Sequence, residues 1–233
     1  MTVWAPGPAL VVYHAGVTVI CELASQFTDE AAWGAATPCP EWRAGDLAAH
    51  LRCVADDYHE YLDEAPVSRL ARLLGSSAGP ESLSRKLARQ NAAELAALAD
   101  GTGPEHIAAF VASARAYAQR VAPIWELPHH RYRDAMVTVG GMVGAACAEW
   151  HLHAWDLARS LGKDYRPADP EILVAGWQAG APHLPLDVPL AVATCGPRPA
   201  GGAWGVATGG SRASRPWAGG GWGTLLRASG RLP

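Results

Sequence analysis

Glu149 and His153 stand four positions apart in the run Glu149-Trp150-His151-Leu152-His153-Ala154-Trp155-Asp156. On a helix this spacing projects a carboxylate and an imidazole from one face, where together they can hold a divalent cation. A second histidine, His50, lies inside Asp46-Leu47-Ala48-Ala49-His50-Leu51, another stretch with helical patterning. If the two helices face each other, His50, Glu149 and His153 form a two-histidine, one-carboxylate set. Three protein ligands leave a coordination position open, which catalytic zinc needs and structural zinc lacks. His151 falls about 200° around the helix from Glu149, so it should point elsewhere. Glu149 flanks an apolar stripe, and a buried carboxylate is costly unless something cationic faces it. A metal would serve, and so would an arginine from another helix.

The elements that must position these residues are legible from apolar spacing. Leu10, Tyr13, Val17, Ile20 and Ala24 recur at helical intervals and predict a helix from about Pro8 to Phe27. Pro38 and Pro40 force a loop between Thr37 and Trp42. A helix over roughly Ala44 to Leu62 carries Leu47, Leu51, Val54, Tyr58 and Tyr61 on one stripe, with His50 at its border. The Gly/Ser break at 75–79 precedes a polar, alanine-rich helix from Glu81 to Leu98, expected to be peripheral. Ile107, Phe110, Val111, Ala114 and Tyr117 mark a helix from about Glu105 to Ile124. Leu127 to His130 reads as a loop, with His129 and His130 expected to be solvated rather than to line a pocket entrance. A long helix then runs from about Asp134 to Leu161, closed by Gly162. Four such apolar faces are most simply buried as a four-helix bundle, an architecture that commonly builds metal sites from inward side chains. The fold class is therefore mainly α, with residues 1–166 as the bundle. Residues 167–233 form a small Gly/Trp-rich region of α/β character. It holds a short helix from Pro170, a strand at 188–194, short strands near 204–208 and a helical turn at 222–229.

Composition limits the function. The chain has 233 residues, 49% of them apolar, and a formal net charge of −3 with scattered basic residues. That excludes a nucleic-acid footprint and a polybasic membrane patch. No apolar run reads as long enough to span a bilayer, and the N-terminus lacks the charged start of a secretory signal. Five cysteines at wide spacings, with no C-x-x-C, read as reduced thiols in a cytoplasmic protein. Cys39, between two prolines, reads as a small buried side chain. His14, His59, His106 and His183 show no partner pattern. The tail glycines lack the context of a nucleotide-binding loop.

The segment Thr37-Pro38-Cys39-Pro40-Glu41-Trp42-Arg43-Ala44-Gly45-Asp46-Leu47-Ala48-Ala49-His50-Leu51 resembles the T-P-C-P-x-W-x-x-x-D-L-x-x-H-L signature of the mycothiol-dependent maleylpyruvate isomerase family. Glu149 to Ala158 resembles that family's second signature, E-x-x-x-H-x-W-D-L-A, and the two follow in the expected order. The resemblance covers roughly Val11 to Leu161. It implies a DinB-like four-helix bundle holding a divalent metal on His50, Glu149 and His153. Zinc is the usual ion, with nickel, cobalt or iron as alternatives. Asp46, one turn before His50, and Asp156, three residues after His153, could each orient a ligand histidine. Asp46 serves equally as a helix N-terminal charge, and Asp156 reads rather as a structural ion pair or loop anchor.

The implied chemistry uses the open position. A low-molecular-weight thiol, mycothiol by the resemblance, would bind there as its thiolate. It would then attack a small electrophilic metabolite, either transferring sulfur or assisting isomerisation. The family includes S-transferases of secondary metabolism. Its maleylpyruvate isomerases proper carry a C-terminal α/β domain that supplies an arginine for substrate carboxylates. The tail here does not align to that domain, which leaves Arg198, Arg212, Arg215, Arg227 and Arg231 as undistinguished candidates. A hydrolase holding hydroxide in the open position and a non-catalytic DinB-like metal-binding stress protein are the other readings. The expected partners are the thiol and a small substrate, with the chain a monomer or homodimer.

Overall fold

A computed structural model describes residues 4–39, 42–63, 83–98, 100–132, 135–180, 221–229 and 231–232. Their order is α1 (Pro6–Ala24), α2 (Glu30–Trp33), α3 (Ala44–Asp63), α4 (Leu83–Ala97), α5 (Gly103–Val121), a 3-10 turn (Ala122–Ile124), β1 (Pro128–Tyr132), β2 (Ala135–Thr138), α6 (Val139–Ser160), α7 (Pro170–Gly180) and α8 (Gly221–Ala228). The protein is mainly helical, as its periodicity predicts. α3 packs along α5 and α1 along α6, α3 also meets α6 and α1 meets α5, so these four helices close a bundle. α4 lies against α3.

One aromatic hub holds the bundle together and takes a ring from each of its four helices. The ring of Trp150 (α6) is fully buried and lies 6.0 Å from Tyr13 (α1), 6.0 Å from Tyr58 (α3) and 4.9 Å from Phe110 (α5), each edge-on. Edge-to-face contact places positive ring edges on negative faces and adds about 0.5–1.5 kcal/mol per pair beyond area burial. The Tyr13 hydroxyl donates to the Ala114 carbonyl at 3.0 Å, which stitches α1 to α5. Trp150 immediately follows Glu149, so the hub also fixes the rotation of the helix that carries two of the three candidate ligands.

Helix ends follow their local chemistry. Thr102 and Glu105 form a capping box at the start of α5. At the end of α6 the Gly162 N–H donates to Arg159 O and the Lys163 N–H to Ala158 O, with Gly162 at φ +68°. This paired pattern needs the left-handed conformation that glycine adopts without strain, so the predicted closure at Gly162 holds. The start of α6 is different from expectation. The helix begins at Val139, where the Thr138 hydroxyl accepts from Gly141 N at 3.1 Å. The residues before it are not helix or loop but an antiparallel hairpin, β1 with β2. The β-branched run Val137-Thr138-Val139 suits a strand and a cap better than a helix interior.

The described residues of the tail include two helices. α7 packs on α6 and α8 on α7, and Leu173, Trp177, Trp222, Leu225 and Leu226 are buried in the same core as the bundle. The strands expected at 188–194 and 204–208 lie outside the described residues, as do His183, Arg198, Arg212 and Arg215. One expectation is corrected: α1 is long and apolar enough to cross a membrane by length and composition. Its buried face, with Val12, Tyr13, Val17 and Ile20, packs into the bundle core.

Candidate metal centre

The two predicted helices do face each other. His50 on α3 is buried, and its ring lies 5.1 Å from that of His153 on α6, at an interplanar angle of 81°. Glu149 Oε2 lies 3.3 Å from His153 Nε2, one helical turn apart. One ligand atom from each of His50, Glu149 and His153 falls within 4.8 Å of the others. His50 Nδ1, Glu149 Oε2 and His153 Nε2 are all buried with no hydrogen-bond partner. The 3.3 Å contact is therefore close approach without hydrogen-bond alignment. Buried polar atoms left unmatched cost free energy, and three of them converging fit a cation.

The charges around these rings differ. Burial, then the neighbouring His153 and Arg231, pushes the His50 pKa well below that of free histidine, so His50 is a neutral donor. Burial acts the same way on His153, but Asp156 and Glu149 outweigh it and raise the pKa. A cation at Nε2 would take the place of the second proton that Asp156 and Glu149 favour on this ring. Trp42 packs on His50 with ring centroids 4.7 Å apart and walls one side of the site.

Asp156 contacts the partner that each of its two readings requires. Its Oδ2 accepts from His153 Nδ1 at 3.0 Å, and the carboxylate is also paired with Arg231. Burial opposes its ionisation, yet Arg231 and then His153 hold its pKa below the usual range. The Nδ1 contact leaves His153 Nε2 facing Glu149, the orientation a metal ligand needs. Asp46 has the helix-end role instead: its Oδ2 accepts from Arg43 N at 2.7 Å at the start of α3.

A second group, Cys39, His153 and Asp156, also comes together. It is the poorer site. Asp156 is committed to Arg231, and Cys39 is disulfide-bonded, so it offers no thiolate. That bond also corrects the reading of all the cysteines as reduced, although Cys21, Cys53 and Cys147 are free thiols.

The remaining histidines sort themselves by packing. His151 turns away from the site, as its helical angle requires, and its Nε2 contacts Val12 O at 2.9 Å while Nδ1 meets the Tyr165 hydroxyl. His130 is buried and His129 pairs with it, Nδ1 to Nδ1 at 2.9 Å, so neither is the solvated loop residue expected. His106 is buried as well. Arg231 has no motif to single it out, and its approach to Asp156 spans 75 positions of sequence. Arg227, the other described arginine of the tail, lies in the last turn of α8.

A helical bundle with a two-histidine, one-carboxylate donor set across two of its helices is the class this geometry defines. The family model of the mycothiol maleylpyruvate isomerase N-terminal domain matches residues 14–158. The chain belongs to that family, and so to the DinB-like superfamily. The match takes in His50, Glu149, His153 and Asp156, while Arg231 lies beyond it. No curated protein and no solved structure matches the chain closely.

Proposed function

We propose that this chain is a metal-dependent enzyme of mycothiol chemistry that acts on a small electrophilic metabolite by S-transfer or by thiol-assisted isomerisation. The observation that carries the reading is the convergence of three buried, unpartnered donor atoms from His50, Glu149 and His153. These residues would hold one divalent cation, zinc foremost. When bound, the cation supplies a positive centre beside which a thiol loses its proton at neutral pH and becomes a nucleophile.

The protein's residues do the rest. His50 presents a neutral nitrogen, His153 would present one once a cation displaced the proton that its carboxylate neighbours favour, and Glu149 would bring the negative charge that offsets the cation. Asp156 holds His153 Nδ1, and Trp42 shields the His50 ring from solvent on one side. The family match supports mycothiol as the thiol. In transfer, a carbon–sulfur bond forms as the carbon–leaving-group bond breaks. In isomerisation, the carbon–sulfur bond forms at an activated double bond, the carbon–carbon axis turns and the sulfur departs. The proposed setting is the cytoplasm, with no nucleic acid or membrane partner, as a monomer or homodimer.

The experiment is metal analysis of purified protein together with turnover of a panel of maleyl, epoxide and sugar-linked electrophiles with and without mycothiol. The reading requires one divalent metal per chain and turnover that depends on the thiol. Turnover with water alone would place the protein among the hydrolases, and metal-loaded protein inert to the whole panel would favour a binding role.

A further inference from the structure

Arg231 lies near the end of the chain, and its side chain ends beside the candidate metal centre. Its Nε donates to Asp156 Oδ1 at 2.8 Å and its terminal nitrogen to Oδ2 at 2.5 Å. Both side chains are buried, 3% and 0% exposed, so neither is an incidental surface pair. The Oδ2 atom also receives His153 Nδ1 at 3.0 Å. One carboxylate thus joins the C-terminal segment to a histidine whose other nitrogen is a candidate ligand atom.

The segment is built to place that guanidinium. Trp222, Leu225 and Leu226 of α8 are buried in the core. After the helix, the Arg231 N–H donates to Leu226 O at 2.8 Å and the Leu232 N–H to the same carbonyl at 3.2 Å. The backbone of Arg231 is therefore anchored at a defined distance from the bundle.

We infer that Arg231 is a positioning residue for the candidate metal ligand His153, acting through Asp156, so that residues 221–229 and 231–232 are part of the metal site. The inference rests on the reading of His50, Glu149 and His153 as that site. A carboxylate bonded only to one imidazole is free to turn about its own terminal bond. A two-pronged guanidinium contact fixes the carboxylate plane. The fixed plane holds the His153 ring so that Nδ1 faces Asp156 and Nε2 faces Glu149 and His50. Lysine, a point charge on a flexible stem, lacks that fork.

The test is cobalt(II) titration of the full-length, metal-stripped protein, read by affinity and by the visible ligand-field spectrum, for wild type, Arg231→Ala, Arg231→Lys and Leu232→Ala. Leu232 packs on the core beside Arg231, so its variant loosens the same segment and leaves the guanidinium in place. Removing a group that orients a metal ligand costs roughly 10- to 100-fold in metal affinity. We expect that loss and a shifted cobalt spectrum for Arg231→Ala. We also expect a measurable loss for Arg231→Lys, and near wild-type affinity and spectrum for Leu232→Ala. Should Arg231→Ala fail to fold, Arg231→Lys carries the same readout. Wild-type affinity and spectrum in the folded arginine variants overturn the inference, as does an equal loss in Leu232→Ala at matched melting temperature. If wild type binds no cobalt, or binds it undiminished in His50→Ala, the metal-site reading fails and the inference falls with it. Tight wild-type binding with indifferent arginine variants overturns the inference alone.

Discussion

Gly144 of α6 meets Gly176 of α7 backbone to backbone: a β-carbon on Gly144 would stand 2.1 Å from the Gly176 carbonyl oxygen. One turn on, a β-carbon on Gly180 would stand 2.2 Å from Gly141 O. The two helices approach this closely because neither carries a side chain at the crossing. Gly144→Ala must push backbone away from backbone, and overpacking of this kind costs about 1–3 kcal/mol. Gly7 near the start of α1 has nothing within 4 Å of its β-carbon position. Gly7→Ala should therefore be neutral or stabilising by about 0.4–1 kcal/mol, through the unfolded chain. Denaturant melts of the two variants compare them directly, and equal effects would show that the α6–α7 contact is looser than described.

The same contact bears on where the bundle ends. Sequence patterning places a boundary at 166/167, with the bundle folding unaided. Yet α7 and α8 contribute Leu173, Trp177, Trp222, Leu225 and Leu226 to the bundle's own core, and Arg231 neutralises buried Asp156. A truncation after Arg166 leaves that carboxylate unpaired and exposes the glycine face of α6. Breaking a buried ion pair by removing one partner costs about 3–5 kcal/mol by itself, a large part of a typical domain's stability. The truncated chain should melt at markedly lower temperature or without a cooperative transition by circular dichroism. A sharp transition near that of the full chain would support the boundary.

Much of the candidate site is legible in the amino-acid sequence because its candidate ligands obey local rules. Glu149 and His153 announce themselves by helical spacing, and His50 by its place beside an apolar stripe. Asp46 lies one turn from His50, but its proximity to the helix start matters more than its proximity to the ligand. Arg231 carries no such signal, because its partner is 75 positions away and no periodicity links them. The hairpin of β1 and β2 is hidden because Pro128, His129 and His130 look like loop residues. Only the β-branched run at 137–139 hints that the long helix starts late. His130 is buried by tertiary packing that its polar neighbours do not foreshadow.

Acid should destabilise the fold through His151. Burial, only partly offset by its contact with Val12 O, lowers its pKa from 6.5 to about 4. A base whose folded pKa is depressed leaves stability complete above 6.5 and drains it as pH falls from 6.5 toward about 4, because the unfolded chain binds the proton first. At about 1.4 kcal/mol per unit the total is on the order of 3 kcal/mol. Denaturant melts near neutral pH and near the depressed pKa, with chelator present in all samples, should show a smaller pH dependence in His151→Gln than in wild type. Identical slopes would mean that His151 takes up its proton in the folded state as easily as in the unfolded one.

Substitutions at the three donors should separate charge from geometry. His50→Ala removes one donor of three and should abolish tight metal binding, with little change in helix content. Glu149→Gln keeps the shape and removes the charge that offsets the cation, so metal affinity should fall while the protein stays folded. Metal content after dialysis and equilibrium competition with a chromophoric chelator measure both. Full metal occupancy in His50→Ala would remove His50 from the site.

The most direct test of the account is cobalt(II) substitution followed by addition of mycothiol. The protein should take up one cobalt per chain through His50, Glu149 and His153. Adding mycothiol should then produce a sulfur-to-cobalt charge-transfer absorption and release a proton to the medium, whereas an S-blocked mycothiol should do neither. A cobalt spectrum indifferent to mycothiol, or a chain that takes up no cobalt, would contradict a metal centre built to activate that thiol.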